Sequence, residues 1–183
     1  MTIKYPHTIE NCLGEKIIFL GIESTSSGEK VNLEAFCKPG CGPAMHTHFK
    51  QNESLTVVSG VMGYQILGEE QKFAQPGETV FFPVNTPHKF WAESQENLHC
   101  TGFIEPANTV VYFLSALYAA QNKSGSHQPE AFDGAYLMVK YASEYDVIGI
   151  PAFVKKIIFP ITYFIGRLLG KYSHFKDAPA PIK

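Results

Sequence analysis

The stretch that decides the fold runs from Gly40 to Gly60 and reads GCGPAMHTHFKQNESLTVVSG. His46 and His48 are two residues apart, and on a β-strand that spacing puts both imidazoles on one face. Glu53 follows after a short turn, and Gly60 closes the next hairpin. A second stretch, GETVFFPVNTPH from Gly77 to His88, supplies His88 from a distant strand. Three imidazoles and a carboxylate suit one borderline divalent transition-metal ion: iron, manganese, nickel, copper, cobalt or zinc. Four ligands on the inner wall of a barrel occupy one side of the ion. An octahedral metal then keeps two positions open for water or substrate.

Working outward, the sequence changes character near Pro106, which divides residues 1–106 from residues 107–183. Before it, short runs rich in β-branched and aromatic residues alternate with Gly and Pro turns. The strands expected are 16–22, 30–37, 54–58, 61–67, 78–82, 88–92 and 98–104. That density of short strands reads as a sandwich or barrel. After Pro106 the pattern turns helical. Asn108 can cap a helix over 109–122, with Val111, Leu114 and Leu117 at helical spacing. Pro129 can start a second helix reaching about Tyr145. Pro151 can start a third that ends at Leu169 before Gly170, with a kink at Pro160. The tail KDAPAPIK is expected to fray.

The first stretch resembles the first cupin motif: a Gly, five residues, His-x-His, three or four residues, Glu, six residues and Gly. Gly40, His46, His48, Glu53 and Gly60 match it at every spacing. The second stretch resembles the second cupin motif through Gly77, Pro83 and His88. Asn85 stands where Gly is usual, a mild change because Asn tolerates a left-handed backbone. Ala92 stands where Asn is usual. The resemblance covers roughly residues 30–105. It implies a mainly β fold, a cupin (double-stranded β-helix or jelly-roll) barrel followed by C-terminal α-helices. It also implies metal binding by His46, His48, Glu53 and His88. The region after Pro106 resembles the helical extension of some bacterial cupin-domain proteins, notably in FIGRLLG. Cupin barrels often pair, and an exposed edge strand has reason to be covered, so a homodimer is expected.

Other features bound the reading. Hydrophobic residues make up 45% of the 183 and charged residues 17%, as in a globular protein, and the net charge is −2. No basic block points to nucleic acid. MTIKYPHTIENCLGEK has no apolar core to serve as a signal peptide, so a cytoplasmic location is expected. Cys12, Cys37, Cys41 and Cys100 are expected to be free thiols. A zinc site on Cys37 and Cys41 would leave Glu53 and His88 unexplained. Gln51 either orients a bound ligand or is solvated. Among Phe81, Phe82, Phe90 and Trp91, alternate members face inward, to line a pocket or pack the barrel. Met62, Tyr64 and Ile66 share an inward phase and either wall the cavity or fill it. The apolar run 157–169 is too short to span a bilayer, which needs about 20 residues. Packing on the barrel or a partner subunit is the preferred reading of that run, ahead of membrane association.

Two functions follow as expectations. The first is a metal-dependent enzyme, dioxygenase-like by resemblance, acting on a small and partly apolar organic molecule. Glu53 would serve it as a ligand or, swung away, as a catalytic base. The second is a metal-anchored pocket that binds a small ligand without turning it over.

Overall fold

The computed structural model describes residues 3–26 and 28–182. Among these described residues, eleven strands form two facing sheets. In chain order they are β1 (His7–Glu10), β2 (Glu15–Thr25), β3 (Gly28–Cys37), β4 (His46–His48), β5 (Asn52–Ser59), β6 (Met62–Ile66), β7 (Lys72–Ala74), β8 (Thr79–Phe82), β9 (His88–Ala92), β10 (Leu98–Glu105) and β11 (Tyr145–Val147). One sheet has the order β1-β2-β3-β10-β5-β8 and the other β11-β4-β9-β6-β7, with every named pair antiparallel. This is the jelly-roll architecture expected from the sequence. All four cysteines are free.

Period-two burial builds the core. On β3, Val31, Leu33, Ala35 and Cys37 point inward while the residues between them are half-buried. His88, Phe90 and Ala92 do the same on β9. The aromatic question is thereby answered: Phe82 and Phe90 are buried, while Phe81 is exposed on the outside. The turn after β5 needs Gly60, whose φ is +80° and whose missing Cβ would lie 2.8 Å from the Asn97 carbonyl oxygen. Asn85 adopts φ 64°, the left-handed backbone expected of a residue standing in for Gly.

Three short strands, β1, β7 and β11, escaped the sequence reading. β1 is too brief and polar to be distinctive. β11 lies where the second helix was expected to continue. That helix, α2 (Ala131–Lys140), ends early, and the chain turns to lay Tyr145, Asp146 and Val147 antiparallel against His48, Thr47 and His46. An available sheet edge overrode local helical preference.

The first helix, α1 (Val110–Ser124), ends at Gly125 in the left-handed conformation. Residue 109, not Asn108, is its N-cap. The third helix opens with a widened π-helical turn, Val154–Ile158, and continues as α3 (Phe159–Leu168). The Phe159 N–H bonds the Val154 carbonyl, five residues back. Pro160 cannot donate and would crowd an ordinary turn, so the interruption expected there takes the form of a wide turn just before it. Gly166 lets this helix close on its neighbours, since a Cβ there would meet Tyr172 at 2.3 Å and Phe132 at 2.8 Å. The helix packs on α2. No helix among the described residues is long and apolar enough to cross a membrane.

The expectation of a frayed tail is corrected. The Tyr141 hydroxyl donates to the Pro179 carbonyl, the Ser143 hydroxyl to that of Ile182, and the Ile182 N–H to the Glu144 carboxylate. These bonds hold residues 178–182 against α2 and the turn that follows it.

Candidate metal centre

Three strands deliver the four sequence-derived ligands to one point. His46 and His48 come from β4, and His88 from β9, where it is the direct cross-strand partner of His46. Glu53 arrives from β5 in the opposite sheet. One ligand atom from each of the four lies within 4.8 Å of all the others. His48, Glu53 and His88 are buried; His46 is half-buried and lies on the wall of the large cavity.

Hydrogen bonds aim the rings. Nδ1 of His46 lies 2.8 Å from the Ala44 carbonyl, and Nδ1 of His88 lies 2.8 Å from that of Thr86. A carbonyl only accepts, so each Nδ1 carries the proton and each Nε2 turns a free lone pair inward. Phe82 stacks on His88 at 3.9 Å between centroids, and Tyr145 presents its edge to His48 at 5.6 Å. Nδ1 of His48 is buried without a hydrogen-bond partner.

The spacing of the donors fits a cation. Nε2 of His46 and Nε2 of His48 are 3.1 Å apart. Metal–nitrogen bonds of about 2.0–2.1 Å at a right angle place two nitrogens about 2.9 Å apart. Glu53 Oε2 sits 3.3 Å from His88 Nε2 and 3.4 Å from His48 Nε2. Burial, followed by the proximity of His48 and His88, pushes His46 down to about 3. Burial likewise takes His48 down to about 4, against the opposing pull of Glu53. Both imidazoles are therefore neutral and ready to ligate at neutral pH. Burial alone would raise Glu53. The 3.3 Å contact with His88, and the charge that His88, His48 and His46 carry when protonated, outweigh it and hold the carboxyl at about 2. The residues present thus fit one divalent ion held by three ring nitrogens and a carboxylate. The zinc alternative fails on placement: Cys37 is a core residue, Cys41 lies in a loop, and neither belongs to the cluster.

Beside the cluster lies a cavity of about 800 Å³. Its barrel wall includes Leu33, Leu55 and Phe90, and its helical wall includes Phe113, Leu114 and Leu117. Met62, Tyr64 and Ile66 are not on its wall, so that inward row packs the barrel instead. The helical wall was not assigned to the site from sequence. Leu114 and Leu117 carried a helical period, but nothing in that period says which surface the stripe covers. Gln51 matches neither of its two expected roles. It is fully buried, and its amide donates to the Glu144 carboxylate and the Tyr145 hydroxyl at 3.0 and 3.2 Å.

Residues 35–104 match the family model described as Cupin domain. Over 67 residues the chain is 34% identical to the probable oxidoreductase virH of Hypocrea virens, covering 36% of this chain and 31% of that one. The chain therefore spans about a third of the length of that curated relative. Among solved structures, an RmlC-like cupin from Shewanella frigidimarina is similar with a TM-score of 0.47 and 17% identity, over 56% of this chain and 86% of that chain. TT1209 from Thermus thermophilus is similar with a TM-score of 0.44 and 19% identity, over 50% and 82%.

Proposed function

We propose that this cupin-domain protein is a metal-dependent oxidoreductase, dioxygenase-like, acting on a small apolar organic molecule. The observation that carries the reading is the meeting of a four-ligand cluster with a large, mostly apolar cavity. The name of the Hypocrea virens relative, a probable oxidoreductase, points the same way. A bound ion of the kind considered would supply Lewis-acid or redox chemistry at the cavity wall.

The chain's own residues do the rest. His46, His48 and His88 would hold the ion as neutral donors, with the rings of His46 and His88 fixed by backbone carbonyls. Glu53 would complete the set as a carboxylate. Held so far below neutrality, it serves better as a ligand than as a base. Leu55, Phe90, Phe113 and Leu117 exclude water and favour an aromatic or otherwise apolar substrate. In the dioxygenation considered, such as oxidation of a thiol to a sulfinate (RSH + O₂ → RSO₂H), both oxygen atoms enter the product and the substrate supplies all four electrons, so no external reductant is consumed.

The test is oxygen uptake by the metal-loaded protein across phenols, diketones and thiols, with mass spectrometry of products. A product heavier by two oxygen atoms supports the reading. Compounds that raise the thermal midpoint without oxygen uptake or product would instead establish a binding pocket without turnover.

We also propose that two copies pair through the barrel, where β2 carries the exposed apolar residues Leu20 and Ile22. A single-chain mass by light scattering would remove this proposal.

A further inference from the structure

The third helix turns an uncovered apolar face outward. Phe153, Ile157, Ile161, Phe164 and Leu168 recur every three or four residues and so form one stripe. Ile158, Ile165 and Leu169 widen it, and all eight are between 40% and 71% exposed. The inner face, with Gly166 and Tyr163, is already used in packing on α2 and Tyr172. The outer stripe is continuous and lies on one element, unlike the scattered apolar residues that any protein surface shows.

Charge identifies what fits it. From residue 147 to residue 176 the chain has no Asp or Glu, yet it carries Lys155, Lys156, Arg167, Lys171 and Lys176. Lys155 is paired with Asp146, just outside this span. The segment is thus locally cationic in a chain whose net charge is −2. A second copy is a poor match. A two-fold contact between antiparallel helices would set Lys156 of one against Arg167 and Lys171 of the other, with no carboxylate from either helix between them. An anionic bilayer surface meets both requirements. The apolar stripe sinks to the acyl boundary while the basic side chains stay among the headgroups.

We infer that the third helix docks this protein in the plane of an anionic lipid membrane through Phe153, Ile157, Ile161, Phe164 and Leu168, with Lys156, Arg167 and Lys171 engaging headgroups. The same helix lends Val154 and Phe159 to the wall of the large cavity. Docking therefore brings that cavity to the interface, where apolar molecules concentrate.

Flotation of the full chain with two kinds of vesicle tests this: pure phosphatidylcholine, and equal parts phosphatidylcholine and phosphatidylglycerol. The full chain is expected to float with the anionic vesicles and to bind phosphatidylcholine roughly ten-fold more weakly, with the anionic binding lost at high salt. Phe164→Ser with Leu168→Ser, both on the exposed face, is expected to abolish flotation while leaving metal content and the unfolding midpoint unchanged. Lys156→Gln, Arg167→Gln and Lys171→Gln together are expected to erase the preference for anionic lipid. Failure of the unaltered protein to float with either vesicle would overturn the inference. So would a Phe164→Ser, Leu168→Ser protein that floats normally, or one that does not float but falls from dimer to monomer by light scattering.

Discussion

The side-chain amide of Gln51 donates to the Glu144 carboxylate at 3.0 Å, joining the loop between β4 and β5 to the turn after α2. Glu144 is fully buried and faces no cation among its hydrogen-bond partners. Its Oε2 also accepts from the Tyr145 hydroxyl and the Thr109 N–H, and its Oε1 from the Ile182 N–H. Four neutral donors thus stand where a counter-ion would normally be needed. Gln51→Leu removes one donor and is expected to destabilise by about 1–3 kcal/mol. Glu144→Leu strands all four and is expected to cost more, about 3–5 kcal/mol. Urea unfolding of the metal-free protein checks both, and a smaller loss for Glu144→Leu than for Gln51→Leu would contradict the arrangement.

Alanine at His46, His48, Glu53 or His88 is expected to abolish stoichiometric metal binding, read by elemental analysis of protein incubated with each candidate ion. Metal should also stabilise the unaltered chain by mass action, by about 2.7 kcal/mol at free metal a hundred-fold above Kd. A chelator should remove that increment, and the alanine variants should never show it. Undiminished metal content in His48→Ala and His88→Ala would place the ion elsewhere.

Acid should weaken the metal-free protein in two overlapping stages. His46 and His48 titrate near 3 and 4 when folded, below the ordinary 6.5, so the unfolded chain takes up protons first. Stability is therefore expected to fall as pH drops from about 6.5 toward 4. Glu53 is held at about 2, below its ordinary 4.5, so its contribution is intact above 4.5 and is lost as pH falls through that value toward 2. The sign is the same for all three groups. His46→Gln with His48→Gln should flatten the upper stage and shrink the lower one, because both imidazoles help to hold Glu53 low. Thermal midpoints measured at half-unit pH steps decide it.

Leu117 reaches the cavity from α1, well away in sequence from the four-residue cluster. Leu117→Trp is expected to occupy part of the 800 Å³ and to weaken binding of bulky apolar ligands by roughly ten-fold, while metal content stays at the unaltered level. Ligand-induced shifts in the thermal midpoint, measured beside metal content, separate the two effects. An unchanged response to large and small ligands alike would remove Leu117 from the binding wall.

The ligand set was legible in sequence because it is written locally. His46 and His48 need only a strand to share a face, and Glu53 and His88 sit at fixed offsets from turn residues. The barrel was legible for a similar reason, since alternation and Gly turns mark most of its strands. What the sequence could not display were features decided by contact at a distance. Tyr145–Val147 is too short to announce a strand and becomes one only because β4 offers an open edge. Gln51 looks like any polar residue in a loop until Glu144 is brought to it from 93 positions away. The tail from Ala178 to Ile182, rich in Pro and Ala, has the composition of a loose end and is tied down by carbonyls and an N–H that composition does not reveal.

The pairing of Tyr145 with His48 has a consequence for how this chain can be divided. The stretch that the family model matches, residues 35–104, holds all four candidate donors, yet the strand carrying two of them is sheltered on one side by residues found only after α2. Cut at residue 106, the barrel would retain its ligands and lose the neighbour that keeps β4 from being a bare sheet edge beside the site. The stretch that the family model matches and the stretch that builds the sheet around β4 are therefore different lengths of the same polypeptide. Transplanting the shorter one into another protein should carry over the four candidate donors without the strand that covers the edge of β4.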